Sequence, residues 1–385
     1  MRDFISQRAH AIPPSGIRRF FDIVQEMDDV ISLGVGEPDY STPWVACQAG
    51  IASIEQGQTA YTSNRGLPAL REEIGRYLKR RFGVTYNPST EMMVTTGASE
   101  ALDVAIRAVT DPGDEILIGD PSYVSYGPGV MLAGGTPVLV PCQAKDEFRM
   151  TPDTLMERIT PKSKALLINF PNNPTGGVMS HDDYRAIADV VVDHDLMVIS
   201  DEIYTELTYE GEMASAAEIP ELRDRTILIN GFSKAYAMTG WRIGYICAPR
   251  ELCDAALKIH QYIMLSAPTM SQYAAVGALR GGDIAREEMV TEYQMRRNMF
   301  VRGLNRIGLP CHMPKGAFYA FPSVRDTGIS DVEFAERLVT EQHVAVVPGS
   351  VFGPAAEGHL RCAYAVSRDD LRTAVDRIGE FLETL

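Results

Sequence analysis

The sequence predicts an α/β protein with a mostly parallel central sheet, helices on both faces of that sheet, and a second, small α+β domain. From residue 91 onward, short and fully apolar segments alternate with segments of helical periodicity, which is typical of parallel strands buried on both faces. The chain has 385 residues, of which 45% are hydrophobic and 23% are charged. A chain of this length and composition buries a large core and has room for two lobes.

The first 40 residues are predicted to form an arm that is followed by a short helix. Residues 12–21 contain two prolines and a glycine, and Phe20 and Phe21 are the predicted anchors of the helix. A short strand and a glycine–proline turn at residues 36–39 come next. This turn is not a dinucleotide-binding fingerprint, because it has no third glycine and no helix after it.

Predicted helices and strands then follow in alternation. The predicted helices lie at residues 44–56, 67–82, 100–109, 181–194, 251–265 and 284–307. The predicted strands lie at residues 92–95, 115–120, 137–140, 165–170, 197–200 and 227–229. After residue 321 the order is helix, strand, strand, helix, which is typical of a small α+β lobe. We therefore predict an arm at 1–40 that joins the small domain, a large domain at 41–282, and a small domain at 283–385.

Charge and cysteine content argue against several classes of function. The net charge is −15 and the pI is near 5.0, so neither a nucleic acid nor an anionic membrane would be attracted. The six cysteines include no C-x-x-C pair, and we interpret them as small buried hydrophobic residues, with no metal site expected. The N-terminus lacks the apolar core of a signal peptide, and no apolar run is long enough to span a membrane. We expect a cytoplasmic protein.

Polar groups follow five of the predicted strands, at the edge where open parallel sheets bind ligands. These groups are Gly97-Ala-Ser99, Asp120-Pro-Ser-Tyr123, Asn172-Asn-Pro-Thr-Gly176, Asp201-Glu-Ile-Tyr204 and Ser233-Lys234. Each alone also has a structural interpretation, such as a turn or a helix cap. It is improbable that five such polar groups would all follow strands of one sheet by chance.

Lys234 is the residue around which these groups are arranged. An apolar strand at residues 227–229 leads into it, and partial desolvation lowers the pKa of an amine, which suits a nucleophile that attacks a carbonyl. Ser233 and Arg242 are suited to hold a phosphate beside it. The alternative interpretation is a loop with an exposed lysine and a structural arginine.

The other groups suit one cofactor. The helix that opens at Gly97-Ala-Ser99 offers free N–H groups to a phosphate, and Tyr123 is suited to stack on a flat ring. Asp201 is suited to keep a ring nitrogen protonated, while Tyr204 and Asn173 are suited to bond a ring oxygen. With an imine at the lysine, these groups together fit a phosphorylated pyridine aldehyde, pyridoxal 5′-phosphate.

The order of the motifs resembles the fold type I, class I/II aminotransferases, which depend on pyridoxal phosphate, over nearly the whole chain. The motifs that carry this resemblance are Tyr61, Gly97-Ala-Ser99, Tyr123, Asn173-Pro-Thr-Gly176, Asp201-Glu-Ile-Tyr204, Ser233-Lys234, Gly240-Trp-Arg242 and Arg361. The resemblance implies that Lys234 is the Schiff-base lysine and the proton shuttle, and that Asp201 pairs with the pyridinium nitrogen. It also implies that Asn173 and Tyr204 bond the ring oxygen and that Tyr123 stacks on the ring.

The resemblance also implies the remaining contacts of the site. Residues of the phosphate site would be Gly97, Ala98, Ser99, Ser233 and Arg242, with Tyr61 contributed across the interface of a homodimer. Arg361 resembles the arginine that grips the substrate α-carboxylate, although a strand arginine on the surface is the alternative. Gly36 matches the glycine whose backbone approaches the substrate, beside Asn173.

The substrate is the least defined part of the prediction. The segment Arg18-Arg-Phe-Phe21, the turn Gly36-Glu-Pro-Asp39 and the motif Gly316-Ala-Phe-Tyr319 most resemble those of the aromatic and aspartate aminotransferases. Members related to the N-acetyl-diaminopimelate aminotransferase are similar. Some aspartate enzymes of this subgroup place a lysine where this chain has Ser99, which argues against strict aspartate specificity. Arg18 and Arg19 are alternative contacts for a distal carboxylate.

The predicted function is a homodimeric aminotransferase that passes the α-amino group of an aromatic or aspartate-like amino acid to 2-oxoglutarate by a ping-pong route. One alternative is a C–S β-lyase of the same fold, which would release pyruvate and ammonia. Another is a cofactor-binding transcriptional regulator, which the sequence disfavours because no basic helix-turn-helix segment precedes the fold.

Overall fold

The computed structural model describes residues 2–14, 16, 27 and 29–385. The predicted anchors Phe20 and Phe21, and the candidate contacts Arg18 and Arg19, lie outside the described residues. Within the described part, no helix is long and apolar enough to cross a membrane. The same residues contain no group of three or more His, Cys, Asp or Glu side chains suited to a metal ion.

The strands are short, and several of them coincide with the predicted apolar segments. In chain order the described strands are β1 (Ile31–Ser32), β2 (Met92–Thr95), β3 (Glu115–Asp120), β4 (Thr136–Pro141), β5 (Ser163–Asn169), β6 (Met197–Asp201), β7 (Thr226–Gly231), β8 (Gly244–Cys247), β9 (Tyr319–Ala320), β10 (Val344–Ala345), β11 (Val347–Pro348) and β12 (Leu360–Ala363).

Helices connect most of the strands. The described α-helices are α1 (Gln7–Ala11), α2 (Trp44–Glu55), α3 (Pro68–Phe82), α4 (Gly97–Val109), α5 (Tyr126–Ala133), α6 (Pro152–Met156), α7 (His181–Asp193), α8 (Pro220–Arg223), α9 (Arg250–Ile263), α10 (Thr269–Gly281), α11 (Asp283–Arg306), α12 (Asp331–Gln342) and α13 (Arg368–Leu382). Single 3₁₀ turns lie at Ala144–Asp146, Thr205–Leu207, Ala216–Glu218, Arg325–Thr327, Gly349–Phe352 and Pro354–Ala356.

The central sheet has seven strands among the described residues, in the order β2-β8-β7-β6-β5-β3-β4. All of its neighbouring pairs are parallel except those of β8, which is antiparallel to β2 and to β7. Alternate side chains enter two separate cores: Ile116 and Ile118 of β3 pack with α4 on one face, and Leu117 packs with α7 on the other. The predicted α/β class, with helices on both faces of a mostly parallel sheet, is confirmed.

Strand β8 was not predicted, and its direction matters for the site. Because β8 is antiparallel, it begins at the edge where the parallel strands end, which brings Arg242 to that edge. Its first residue, Gly244, packs directly on the first turn of α4. A Cβ atom on Gly244 would lie 2.7 Å from the backbone nitrogen of Ala98, so this position requires glycine.

Helices α5 and α10 were also missed, as were the short helices α1, α6 and α8. Helix α10 is rich in small residues and buried on almost every side, so it lacks the amphipathic stripe by which a helix is predicted from sequence. Helix α5 contains two glycines and likewise shows little apolar asymmetry. The predicted helix at 251–265 is α9, which ends at Ile263.

A further core lies outside the central sheet, under strands β9, β10 and β12 and helices α11, α12 and α13. The N-terminal segment joins this part of the molecule, because β1 pairs in parallel with β10 through Ile31 and Val344. The domain boundaries at 1–40, 41–282 and 283–385 stay our proposal.

Candidate active site

A cavity of about 510 Å³ lies at the carboxyl ends of the parallel strands. Eleven of the predicted site residues line it: Gly36, Ala98, Ser99, Tyr123, Asn173, Asp201, Tyr204, Ser233, Lys234, Arg242 and Arg361. Two predicted residues do not. Gly97 lies directly behind the wall, against Arg242, and Tyr61 is 83% exposed outside this cavity.

Lys234 follows β7 and extends into the cavity. Its Nζ donates a hydrogen bond to the backbone carbonyl of Gly36 at 2.5 Å. Burial lowers the pKa of Lys234 to about 8, with Glu37 opposing this shift and Arg361 adding to it. An amine with this pKa is far more often unprotonated near neutral pH than a surface lysine, as nucleophilic attack on a carbonyl requires.

Asp201 ends strand β6 beneath the cavity and is 3% exposed. Its Oδ2 accepts a hydrogen bond from the hydroxyl of Tyr126 at 2.8 Å, and its Oδ1 accepts one from the backbone of Ile203 at 3.2 Å. Burial raises the pKa of Asp201 to about 6, against the opposing effect of these hydrogen bonds. The carboxylate is therefore placed where a cationic ring nitrogen would stabilise its charged form.

The first turn of α4 forms one end of the cavity. Gly97 has a φ of +77°, and a Cβ atom there would lie 2.7 Å from Nη2 of Arg242, so the turn and the guanidinium approach closely only because this residue is glycine. Arg242 itself has a φ of +52° and donates from Nη1 to the carbonyl of Thr239 at 3.0 Å. Free N–H groups at a helix start beside an arginine form an anion site.

Arg361 lies at the opposite end, on β12, and is 2% exposed. Leu360 and Cys362, the neighbours of Arg361 in the strand, belong to the core that lies outside the central sheet, as strand alternation predicts. Its Nη1 donates to Oδ1 of Asn173 at 3.1 Å, and its Nη2 donates to the carbonyl of Gly34 at 2.5 Å. The Nε atom is buried without a partner, which leaves this guanidinium able to bond a carboxylate.

Tyr319 connects several of these groups, and sequence reasoning gave it no role. Its hydroxyl lies 2.8 Å from the hydroxyl of Tyr204, and its ring lies 4.6 Å from Cζ of Arg361. A Cβ atom on Gly36 would lie 2.6 Å from the same hydroxyl. The motif Gly316-Ala-Phe-Tyr319 was a signal for its subgroup, although not for these contacts.

The other lining residues that were missed include Tyr126, Asn169 and Glu37. Tyr126 follows Tyr123 by three residues, and this helical spacing was a usable signal. Asn169 ends β5 and donates from Nδ2 to the backbone carbonyl of Asp201 at 2.8 Å, so it shares the strand-end position of the predicted residues. Glu37 lies in the predicted turn and brings a negative charge to the cavity.

Comparisons with known proteins agree with this arrangement. Residues 28–378 match the family model described as aminotransferase class I and II. The putative aminotransferase YugH of Bacillus subtilis (strain 168) is 52% identical over 382 residues, which are 99% of each chain. An aspartate aminotransferase of Pyrococcus abyssi is 45% identical over 98% of each chain. The structure of an aromatic aminotransferase from Pyrococcus horikoshii OT3 has a TM-score of 0.91 and 44% identity, over 95% of this chain and 99% of that one.

The chain is thus an enzyme with the α/β fold of the fold type I transferases. More particularly, it belongs to the class I and II aminotransferase family, in the subgroup of aromatic and aspartate aminotransferases. The family and fold class predicted from the sequence are confirmed.

Enzymes of this family use pyridoxal phosphate, and the residues of the cavity fit that group. The anion site at α4 and Arg242 matches a phosphate in charge, and Lys234 matches an aldehyde in reactivity. Asp201 receives its hydrogen bonds from neutral groups, so its buried carboxylate gains a cationic partner from a protonated ring nitrogen.

Proposed function

We propose that this aminotransferase moves the α-amino group of an aromatic amino acid to 2-oxoglutarate, with pyridoxal phosphate bound in the cavity, by a ping-pong route. The observation that carries the proposal is the presence of Lys234, Asp201 and Arg361 in one cavity of about 510 Å³. These residues supply a reactive amine, a buried counter-charge and a carboxylate clamp.

Each side chain has a distinct task in the reaction. When bound, pyridoxal phosphate supplies a carbon that takes up the amino group and a protonated ring that draws electrons from the substrate Cα–H bond. Asp201 would keep that ring nitrogen protonated. Ser99, Ser233 and Arg242, with the N–H groups of Gly97, Ala98 and Ser99, would hold the phosphate by charge-assisted hydrogen bonds.

Lys234 is the base and the acid of the reaction. With its pKa lowered to about 8, Nζ would take the proton from Cα of the amino-acid substrate, and in the second half of the cycle it would give a proton to Cα of the new amino acid, so one group serves both directions. Arg361 binds the α-carboxylate and thereby fixes which face of Cα meets Nζ. Tyr204 and Asn173 would bond the ring oxygen, and Tyr123 would stack on the ring.

The charges of the cavity favour an aromatic donor over a dicarboxylic one. The cationic side chains among the described lining residues are Lys234, Arg242 and Arg361, and each already has a task. The remaining charged lining residue beyond Asp201 is Glu37, so an aromatic side chain needs no partner that the described lining lacks. The distal carboxylate of aspartate, and equally that of 2-oxoglutarate, would need a cation from elsewhere, for which the sequence offers Arg18 and Arg19. Ser99 adds no positive charge at the place where some aspartate enzymes have a lysine.

The shape of the protein beside the cavity supports the same donor. A second cavity of about 680 Å³ shares Ser99, Leu102 and Tyr123 with the first. Its other walls are largely apolar, and they include Ile12, Pro13, Pro14, Ile106, Leu132 and Val351. An aromatic side chain directed there buries apolar surface at about 25 cal/mol per Å².

A matrix of donors and acceptors tests the proposal. Phenylalanine, tyrosine and aspartate are each paired with 2-oxoglutarate, oxaloacetate and pyruvate, and kcat/KM is measured for each pair. We expect kcat/KM at least about tenfold higher for the aromatic donors than for aspartate, since one misplaced charge costs more than one factor of ten. A preference for aspartate, or for an acceptor other than 2-oxoglutarate, contradicts the assignment of substrates. Pyruvate and ammonia released from cystathionine without any oxo acid would support the β-lyase alternative.

We also propose a homodimer in which Tyr61 of one subunit completes the site of the other. Large apolar side chains on α2 and at the end of α9 are exposed on the single chain: Trp44, Ile51, Ile54, Tyr262 and Ile263. Exposed apolar surface of this extent is typical of an interface. Tyr61 extends from the loop between α2 and α3 and is itself 83% exposed.

Mixed dimers test that arrangement. A dimer of one Lys234→Ala subunit and one Tyr61→Ala subunit has one intact site if Tyr61 acts across the interface. Activity that reappears on mixing the two inactive variants is the expected result, and its absence while dimers form would place Tyr61 in its own subunit's site.

A further inference from the structure

We propose that Glu100 and His260 are a positioning pair that holds the phosphate-binding turn of this enzyme in its binding conformation. Neither residue lines the cavity, and both lie behind its wall. The inference rests on the proposed cofactor site, because it assigns the first turn of α4 to the phosphate.

The pair is buried and closely bonded. The side chain of Glu100 is 6% exposed and that of His260 is not exposed at all. Nδ1 of His260 lies 2.5 Å from Oε1 of Glu100. A carboxylate oxygen only accepts hydrogen bonds, so Nδ1 is the donor, and Nε2 of the same ring has no partner. Glu100 is therefore the group that holds the His260 ring in place.

The second carboxylate oxygen acts on the turn itself. Oε2 of Glu100 accepts a hydrogen bond from the backbone N–H of Thr96 at 2.5 Å, which fixes the residue that precedes the helix. The hydroxyl of Thr95 donates to the carbonyl of Gly97 at 3.0 Å and braces the other side. With Gly244 packed beneath, the N–H groups of Ala98 and Ser99 have a fixed direction.

Charge explains why Glu100 needs its histidine. A carboxylate directly after Ser99 lies one residue from the proposed phosphate, and two negative groups repel strongly where water is excluded. A hydrogen bond from His260, which does not line the cavity, stabilises the carboxylate. His260 lies on α9, which packs along α4, so the contact also fixes the start of α4 relative to its neighbouring helix.

A comparison of the affinities for pyridoxal phosphate and for pyridoxal, which lacks the phosphate, distinguishes this positioning role from a contribution to the stability of the whole protein. His260→Leu removes the hydrogen bond, whereas His260→Asn places an amide nitrogen near the position of Nδ1. Glu73→Gln is the control, because its buried carboxylate accepts a hydrogen bond from Arg280 and does not line the cavity. The Kd of pyridoxal phosphate, the Kd of pyridoxal and Tm are measured on the apoprotein of each variant.

We expect His260→Leu to raise the Kd of pyridoxal phosphate about tenfold, with the Kd of pyridoxal changed less than about twofold, since a hydrogen bond to a charged group contributes this much. His260→Asn is expected to retain most of the wild-type affinity. An unchanged Kd for pyridoxal phosphate, or an equal loss for pyridoxal, would overturn the positioning role. Failure of the wild-type protein to bind pyridoxal phosphate would instead overturn the proposed function.

Discussion

Lys234 donates a hydrogen bond from Nζ to the backbone carbonyl of Gly36 across 2.5 Å. The lysine follows strand β7 of the central sheet, whereas Gly36 follows β1, which pairs with the outlying strand β10. Two parts of the fold with separate cores therefore meet at the reactive amine. The site therefore requires that Gly36 lie close to both Lys234 and Tyr319.

Gly36→Ala should lower kcat/KM about tenfold, and Tyr319→Phe should relieve most of that loss. The new Cβ atom would lie 2.6 Å from the Tyr319 hydroxyl, while the next atom of the ring is 3.6 Å away, an ordinary contact. Removal of the hydroxyl thus removes the clash, and a coupling of about 1 kcal/mol between the two substitutions is expected. Steady-state kinetics of both single variants and the double variant measure it.

Gly127→Ala is the matched control, because a Cβ atom there meets nothing within 4 Å. It should leave kcat/KM unchanged. Strict additivity of the losses from Gly36→Ala and Tyr319→Phe would show that the two residues do not interact.

Arg361→Ala should raise KM by about 10²-fold for every α-amino acid, because the clamp contacts the carboxylate that all of them share. Arg158→Ala changes an exposed arginine that does not line the cavity and should leave KM unaltered. Kinetics with an aromatic donor, aspartate and alanine make the comparison. A loss confined to one donor would place the α-carboxylate elsewhere.

Asp201→Asn should remove a pH dependence of cofactor affinity. Burial raises the pKa of Asp201 to about 6, so in the apoprotein the carboxyl becomes ionised only as the pH rises through about 6. Ionised Asp201 favours the protonated ring, and affinity for pyridoxal phosphate should rise over that range in the wild type. The Kd measured from pH 5 to 7.5 should lose this component in Asp201→Asn.

Glu202→Gln provides the comparison for that experiment. Glu202 is the neighbouring buried carboxyl, 1% exposed, and its Oε1 accepts from Ser200 and Ser215 at 2.9 Å without lining the cavity. Its replacement should preserve the wild-type dependence of Kd on pH. An Asp201→Asn profile that parallels the wild type would exclude Asp201 as the partner of the ring nitrogen.

Lys234→Met should stabilise the apoprotein at pH 7 by roughly 1–3 kcal/mol. Burial lowers the pKa of Lys234 from 10.5 to about 8, so between these values the unfolded chain binds a proton that the folded chain does not. The wild-type free energy of unfolding should therefore rise with pH between about 8 and 10.5, and the Lys234→Met protein should lack that rise. Urea unfolding at several pH values measures both. A less stable variant at pH 7 would show that burial does not penalise the lysine.

Local sequence patterns were sufficient for every described strand of the central sheet except β8, and for most of the cavity. Strands β2 and β3 begin and end as predicted, because each is a short apolar run with polar residues after it. Since parallel strands end at one edge, the residues that follow them lie together in the fold. Strand β8 was missed because four residues inside a loop-like stretch carry too little pattern to indicate a direction.

The contacts that the sequence did not predict join segments that lie far apart in the chain. Tyr319 bonds Tyr204 across 115 residues, and His260 bonds Glu100 across 160 residues. Periodicity reports whether a side chain is buried, but not which partner it meets. In each case the partner depends on how the lobes and helices pack. That packing is determined by the whole sequence and not by any local pattern.

The most direct test of the central claim is a single half-reaction on the loaded enzyme. Phenylalanine is added without any oxo acid, while the visible absorption of the bound cofactor and the amount of phenylpyruvate are followed in the wild type and in Lys234→Ala. The account predicts a change of absorption with one phenylpyruvate per wild-type site, its reversal on addition of 2-oxoglutarate, and neither event in Lys234→Ala. Unimpaired phenylpyruvate formation by Lys234→Ala would contradict it.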